Sequence, residues 1–198
     1  MAHPLSPTDP PMSEEQARAC FVGEMPRLEG RIEVADYDPA WPTQFEHEAA
    51  IIRRVLGAQV LELEHVGSTS VHGLPAKPIV DIDLVLRDST RESEYVPALG
   101  AAGYQLTIRE PHWHEHRMLK RRDPAVHLHV WSLGSPEAAR HRIFRDWLRS
   151  NEADRHLYGA HKQTIAKQAF EYMHEYNNAK AEVIREILCR ALDALPTA

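Results

Sequence analysis

The chain has 198 residues, 43% of them hydrophobic and 26% charged, with a formal net charge of −6. That is enough apolar material for one core, or one core with a helical annex, and an acidic balance that argues against a duplex nucleic-acid binder working through a basic face, while leaving room for local basic clusters. Charges interrupt every apolar run, so no membrane-spanning helix is expected, and Cys20 and Cys189 form no C-x-x-C pair and follow no apolar signal core, which points to a reducing cytoplasm.

Residues 1–30 are rich in proline and hold one helical turn around Glu14 to Phe21, so they read as a flexible or loosely docked leader. Phe45, Ala49, Ile52 and Leu56 then recur at helical spacing, with Pro42 suited to the first turn and Gly57 to the stop. "VLELEHV" and "IVDIDLVL" alternate with period two. "ESEYVPALGAAG" predicts a helix that ends at Gly103 and is weakened by Pro97. "YQLTIR", "HRMLKR" and "VHLHVWS" are extended, and Arg122-Asp123-Pro124-Ala125 joins the last two as a hairpin. From Ser135-Pro136 onward the pattern is helical in three segments: 136–151, 152 to about 169, and 173 to 195. The expectation is an α+β fold: a mixed sheet with helices over residues 31–134, and a helical part, 135–198, packed on it.

The chemistry concentrates in "EHVGSTSVHGLPAKPIVDIDLVL", residues 64–86. Side chains alternate along a strand, so Asp81 and Asp83 share one face while Val80, Ile82, Leu84 and Leu86 share the other. Two neighbouring carboxylates repel, and a divalent cation between them relieves the repulsion. Gly67 lets the backbone approach a ligand, and the amides and hydroxyls of Ser68, Thr69 and Ser70 suit phosphate oxygens. Against this stands a plainer alternative, a turn followed by the solvated face of an edge strand.

"YDPAW", the 64–86 segment, "VHLHV", "FRDWLRSN" and "YGAHKQTIA" together resemble the GrpB family over about residues 32–190. The resemblance implies a nucleotidyltransferase-like mixed sheet whose Gly-Ser turn and D-h-D strand bind metal and a nucleoside triphosphate. In that superfamily a third acidic residue on a later strand helps activate the attacking hydroxyl. The corresponding strand here is "VHLHVWS", whose aspartate-side face carries His127, His129 and Trp131 instead. Neutral histidine serves as a base near neutral pH or ligates a softer metal. The resemblance sets His129 near the aspartates, whereas His127 is equally well explained as a hydrogen-bonded structural residue. His112, His114 and His116 read as a solvated turn.

In the helical part, Arg142, Arg145 and Arg149 line one side of a helix, with ion pairing to nearby acids the plainer account of Arg142 and Arg149. Tyr158 and Lys162, and Tyr176 and Lys180, repeat at i, i+4, as base-stacking pairs or as packed tyrosines with snorkelling lysines. Arg145, Lys162 and Lys77 are the expected phosphate partners, with Asp81, Asp83, His127 and His129 as metal ligands for Mg²⁺ or Mn²⁺ (Zn²⁺ if the histidines dominate) and His129 as the base. The expected activity is metal-dependent nucleotidyl transfer from a nucleoside triphosphate to an unidentified acceptor. Its rivals are a degenerate nucleotide- or metal-binding regulatory module and a histidine-assisted metal hydrolase.

Overall fold

The computed structural model describes residues 10–195. It holds α1 (Glu14–Cys20), α2 (Trp41–Leu56), β1 (Glu62–Val66), β2 (Val80–Leu86), α3 (Glu92–Ala101), β3 (Gln105–Glu110), β4 (His116–Arg121), β5 (Val126–Ser132), α4 (Pro136–Ser150), α5 (Glu152–Ile165) and α6 (Met173–Asp193). The strands form one mixed sheet in the order β1-β2-β5-β4-β3, with β2 and β5 parallel and the other neighbours antiparallel. The α+β expectation holds, including the hairpin between β4 and β5. The last two helices end at Ile165 and Asp193, a few residues earlier than the periodicity suggests.

The period-two pattern of β2 sorts the sheet into two faces. Val80, Ile82, Leu84 and Leu86 join Val126, Leu128 and Val130 of β5 and Leu119 of β4 in one buried cluster, closed by Trp41, Ala49, Ile52 and Leu56 of α2 and by Tyr95 and Leu99 of α3. Pro97 sits inside α3, whose acidic first turn contains Glu92 and Glu94. Glu48 of α2 is 0% exposed within this apolar layer. It is held there by the Tyr104 hydroxyl and by Arg121 Nη1, 3.0 and 2.9 Å from its two oxygens, which meets the requirement that a buried charge be paired.

The other face carries the carboxylates and imidazoles and lies under the C-terminal helices. A second cluster joins Val71 and Leu74, in the loop before β2, to Leu148 of α4, Tyr158 of α5, and Val183 and Ile187 of α6. The helical part is thereby packed onto the loop that carries the Gly-Ser turn.

Of the two readings of the leader, flexible or loosely docked, the described part shows docking through a few residues; residues 1–9 lie outside the described residues. Ser13 and Gln16 form a reciprocal capping box that starts α1. Ala17 and Met25 pack on Tyr172, Phe21 bridges Ile108, and Val22 N–H donates to Thr107 O at 2.9 Å. The segment therefore covers the exposed edge of β3, where unpaired backbone groups would otherwise invite association. Proline-rich composition hid this because the docking rests on a few residues without periodicity.

Candidate functional site

β2 is an interior strand, between β1 and β5, so its aspartates are not the solvated face of an edge. Register sets Asp81 opposite His127 and Asp83 opposite His129, and sets Met118 and Lys120 of β4 beyond them on the same face. Gly67 follows β1 with φ +67°, and a Cβ built there would lie 2.3 Å from Asp81 Oδ2. Glycine is required on both counts, since the left-handed backbone strains other residues and any side chain would collide with the carboxylate.

The two aspartates share a face but differ in surroundings. Asp83 is 2% exposed. Trp131 Nε1–H donates to its Oδ1 at 2.9 Å, and His141 Nδ1 of α4 lies 2.9 Å from its Oδ2. Burial favours the neutral acid, but the His141 charge and hydrogen bond outweigh it and the net shift is downward. In turn, Asp83 more than offsets the burial of His141, whose pKa is raised. Asp81 is partly open. Its Oδ1 lies 3.4 Å from His127 Nδ1 and 3.9 Å from His129 Nε2. Burial lowers the pKa of His127.

His116, expected in a solvated turn, is the first residue of β4 and is buried. Its Nε2 lies 3.0 Å from His129 Nδ1, and its Nδ1 lies 2.6 Å from Glu110 Oε2 at the end of β3. Burial lowers its pKa to about 4, against the opposing pull of Glu110. His112 and His114 are exposed, as expected of a turn.

Around Asp81 the remaining charges are positive. Lys162 of α5, 3% exposed, donates from Nζ to Ser68 Oγ at 2.8 Å and to the Pro75 carbonyl, with Nζ 4.6 Å from the Tyr158 ring centroid. Lys180 of α6 and Lys77, in the loop before β2, approach the Tyr176 ring at 4.6 and 5.7 Å. Burial first, then repulsion from Lys180, lowers the Lys162 pKa to about 7, with Asp81 opposing. Burial and then Lys77 lower Lys180 to about 7. Lys77 is lowered chiefly by burial. Three elements thus bring amino groups to one corner, where the Asp81 carboxylate acts on all three.

Of the other expected phosphate partners, Ser68 lines this corner and Thr69 does not. Thr69 is buried, its Oγ1 3.1 Å from His65 Nε2, and His65 stacks on Phe45 of α2. Arg145 is fully engaged elsewhere: it donates to Glu64 Oε2 at 2.7 Å, to the His65 carbonyl at 3.0 Å, and to both Asp146 oxygens. It braces α4 against β1. Arg142 pairs with Glu62 of β1, and Arg149 pairs with Asp146 one turn away at 3.4 Å while donating to the Ser70 carbonyl at 3.1 and 2.9 Å, so ion pairing accounts for both, with Arg142 reaching an acid outside its own region.

Asp83 is the more engaged of the two carboxylates expected to share a cation. Both Asp83 oxygens already accept hydrogen bonds from donors packed beside them, and among the described residues no group of three or more His, Cys, Asp or Glu is disposed to hold a metal ion. Sequence reasoning missed His141, His116 and Glu110. The first two were visible as residue types but not as neighbours, because a helix and a β-hairpin had to be folded onto β2 to bring them there.

Fold and site together define an α+β protein with an acid–imidazole center and a lysine-lined corner on one face of a mixed sheet. The GrpB family model, described as "GrpB protein", matches residues 31–190, and the chain belongs to that family. It is 46% identical to a UPF0157 protein of Halalkalibacterium halodurans, over 91% of this chain and 93% of the relative. A UPF0157 protein of Streptomyces coelicolor is 42% identical, over 81% and 84% of the two chains. The crystal structure of conserved protein GrpB from Enterococcus faecalis is similar with a TM-score of 0.69 and 31% identity, covering 81% of this chain and 98% of that one. No described helix is long and apolar enough to cross a membrane.

Proposed function

We propose that this chain binds a nucleoside triphosphate at the lysine-lined corner and transfers its nucleotidyl group to an acceptor hydroxyl. The observation that carries this reading is the convergence of Lys77, Lys162 and Lys180, from a loop and two helices, beside Gly67, Ser68 and Asp81. Lys162 is buried and Lys77 and Lys180 are half-buried; ammonium groups gathered this way are costly unless an anion joins them, and a triphosphate supplies several charges in one ligand. Tyr158 and Tyr176, already stacked against the lysines, give the corner aromatic walls. The resemblance to nucleotidyltransferases supplies the reaction class. In that reaction an acceptor oxygen forms a bond to the α-phosphorus, the bond from that phosphorus to the bridging oxygen breaks, and pyrophosphate leaves with the electron pair. The lysines would stabilise the charge developing on the leaving pyrophosphate.

Calorimetric titration with nonhydrolysable nucleoside triphosphates tests the binding step, and pyrophosphate release from the natural triphosphates tests transfer. Absence of binding by every nucleoside triphosphate would sink the proposal. A second reading, binding without transfer, is favoured by the engagement of Asp83 with Trp131 and His141; triphosphate binding with no pyrophosphate release under any acceptor would select it.

A further inference from the structure

Hydrogen-bond roles along β3, β4 and β5 are determined by a single fixed end. A carboxylate only accepts, so Glu110 Oε2 requires a proton on His116 Nδ1, 2.6 Å away. A neutral imidazole then has its lone pair on Nε2. That atom lies 3.0 Å from His129 Nδ1, which must be the donor. His129, if neutral, is left with a bare Nε2, and Nε2 is the atom that faces Asp81 Oδ1 at 3.9 Å. Two acceptors therefore face each other across a gap too long for a hydrogen bond between them. Such a gap suits a group that brings its own proton. Packing holds the chain of rings in line: His116 stacks on His129 at 5.2 Å between centroids and on Trp131 at 4.3 Å, and His116 and Trp131 are both buried.

We infer that Glu110 and His116 are positioning residues that fix His129 in the Nδ1–H tautomer, so that its Nε2 lone pair receives the proton of the acceptor hydroxyl as that oxygen attacks. The inference rests on the transferase reading for the identity of the proton's source, but the tautomer itself does not. When the acceptor oxygen gives its proton to Nε2, the resulting imidazolium keeps its Nδ1–H bond to His116, and the Glu110 carboxylate at the far end of the chain compensates the charge. An imidazole oriented by a remote carboxylate thus occupies the place where the superfamily resemblance leads one to expect a third acid.

Nitrogen-15 NMR of histidine-labelled protein at mildly alkaline pH reads the tautomer of each ring directly. In the wild type, His129 is expected as Nδ1–H with unprotonated Nε2, and His116 likewise. In His116→Phe the acceptor for Nδ1 is gone, so His129 should change to the Nε2–H form, which the charge of the facing Asp81 favours. Glu110→Gln, a smaller perturbation that keeps the fold if the phenylalanine variant does not, should leave both rings in mixed tautomers. A wild-type His129 already protonated on Nε2, alone or together with Nδ1, overturns the inference, as does a His129 signal unchanged in the folded variants. Titration of a nonhydrolysable triphosphate separates this from the binding proposal. Glu110→Gln should bind within about threefold of wild type, because no link of the chain belongs to the lysine corner; a larger loss would count against a purely positioning role. Failure of the wild type to bind any triphosphate would sink the transferase reading while leaving the tautomer to the spectra.

Discussion

Ile82 and Asp83 are adjacent in the chain and both buried, yet they belong to different regimes. Ile82 faces α2 and α3, in a layer where the deeply buried charge of Glu48 is neutralised at short range by Arg121 and hydrogen-bonded by the Tyr104 hydroxyl. Asp83 faces α4, in a layer of carboxylates, imidazoles and lysines whose charges are only partly matched. The first face is organised for stability. The second gathers three lysines around the single charge of Asp81, with burial and mutual repulsion lowering the pKa of Lys162 and Lys180, which is the arrangement the proposed anion site calls for. The difference is one of satisfied against unsatisfied electrostatics, and it implies that mutations on the two faces should separate affinity from stability.

The largest separation is expected for Lys162→Met combined with Lys180→Met. Each ammonium would contribute a charge-assisted contact to a triphosphate of roughly 1.5–3 kcal/mol, so the pair should cost about 10²-fold or more in affinity. The melting temperature without ligand should stay level or rise, because a buried and a half-buried amino group that repel each other become apolar chains of similar length. Calorimetric titration alongside thermal melts checks both arms. A double variant that melts much lower and still binds would show the lysines to be structural.

The opposite signature is expected on the other face. Ile82→Ala removes a fully buried side chain from the α2–α3 layer and should destabilise by about 2–5 kcal/mol. Its affinity for triphosphate, measured well below the melting range, should stay near the wild-type value. Denaturant unfolding and titration of the same preparation would break the comparison if affinity fell in step with stability.

The sequence made the two faces legible because strand alternation leaves little freedom: once Val80, Ile82, Leu84 and Leu86 are committed to a core, Asp81 and Asp83 must point the other way. Gly67 was equally readable, since a glycine between a strand and a serine signals close approach. Partnership was less legible. Nothing local in "EAARHRIFRD" distinguishes His141, which reaches Asp83, from Arg145, which turns to Glu64 and the His65 carbonyl. The position of each on α4 relative to the sheet decides its role, and that position is set by long-range packing of α4 on α6 and β1. Glu110 and His116 lie six residues apart across a turn, so the strand ends had to be known before their contact could be read. The docking of residues 10–30 was hidden for the same reason.

A smaller effect should appear in the pH dependence. Lys162 and Lys180 have pKa values lowered to about 7, against about 10.4 for a lysine in the unfolded chain. Between those values the unfolded state binds more protons, so stability without ligand should rise as pH increases from about 7 to about 10 and be lost as pH falls through 7. A bound triphosphate favours the charged lysines, so its affinity should weaken over the same interval and its binding near pH 8 should take up protons. Titrations in buffers of differing ionisation enthalpy measure that uptake. Proton release, or none, would mean that the lysines are not the groups meeting the anion.

The smallest effects belong to the arginines of α4, and they test where the site ends. Arg142 and Glu62 form a half-exposed pair at the β1 edge, with side-chain exposures of 35% and 41%. Solvent screens such a pair, so Arg142→Ala should change stability by less than about 1 kcal/mol and leave triphosphate affinity unchanged. Arg145 is the more informative neighbour. It is buried, and its Nη1 holds the Glu64 carboxylate and the His65 carbonyl at once. Arg145→Ala leaves that carbonyl without this donor and should cost about 1–3 kcal/mol of stability, while affinity moves by no more than about threefold. If Arg145→Ala instead abolished triphosphate binding with stability intact, the guanidinium would have to leave Glu64 for the ligand. The boundary of the site would then extend from the lysine corner across β1, and the division between a bracing arginine and binding lysines would fail.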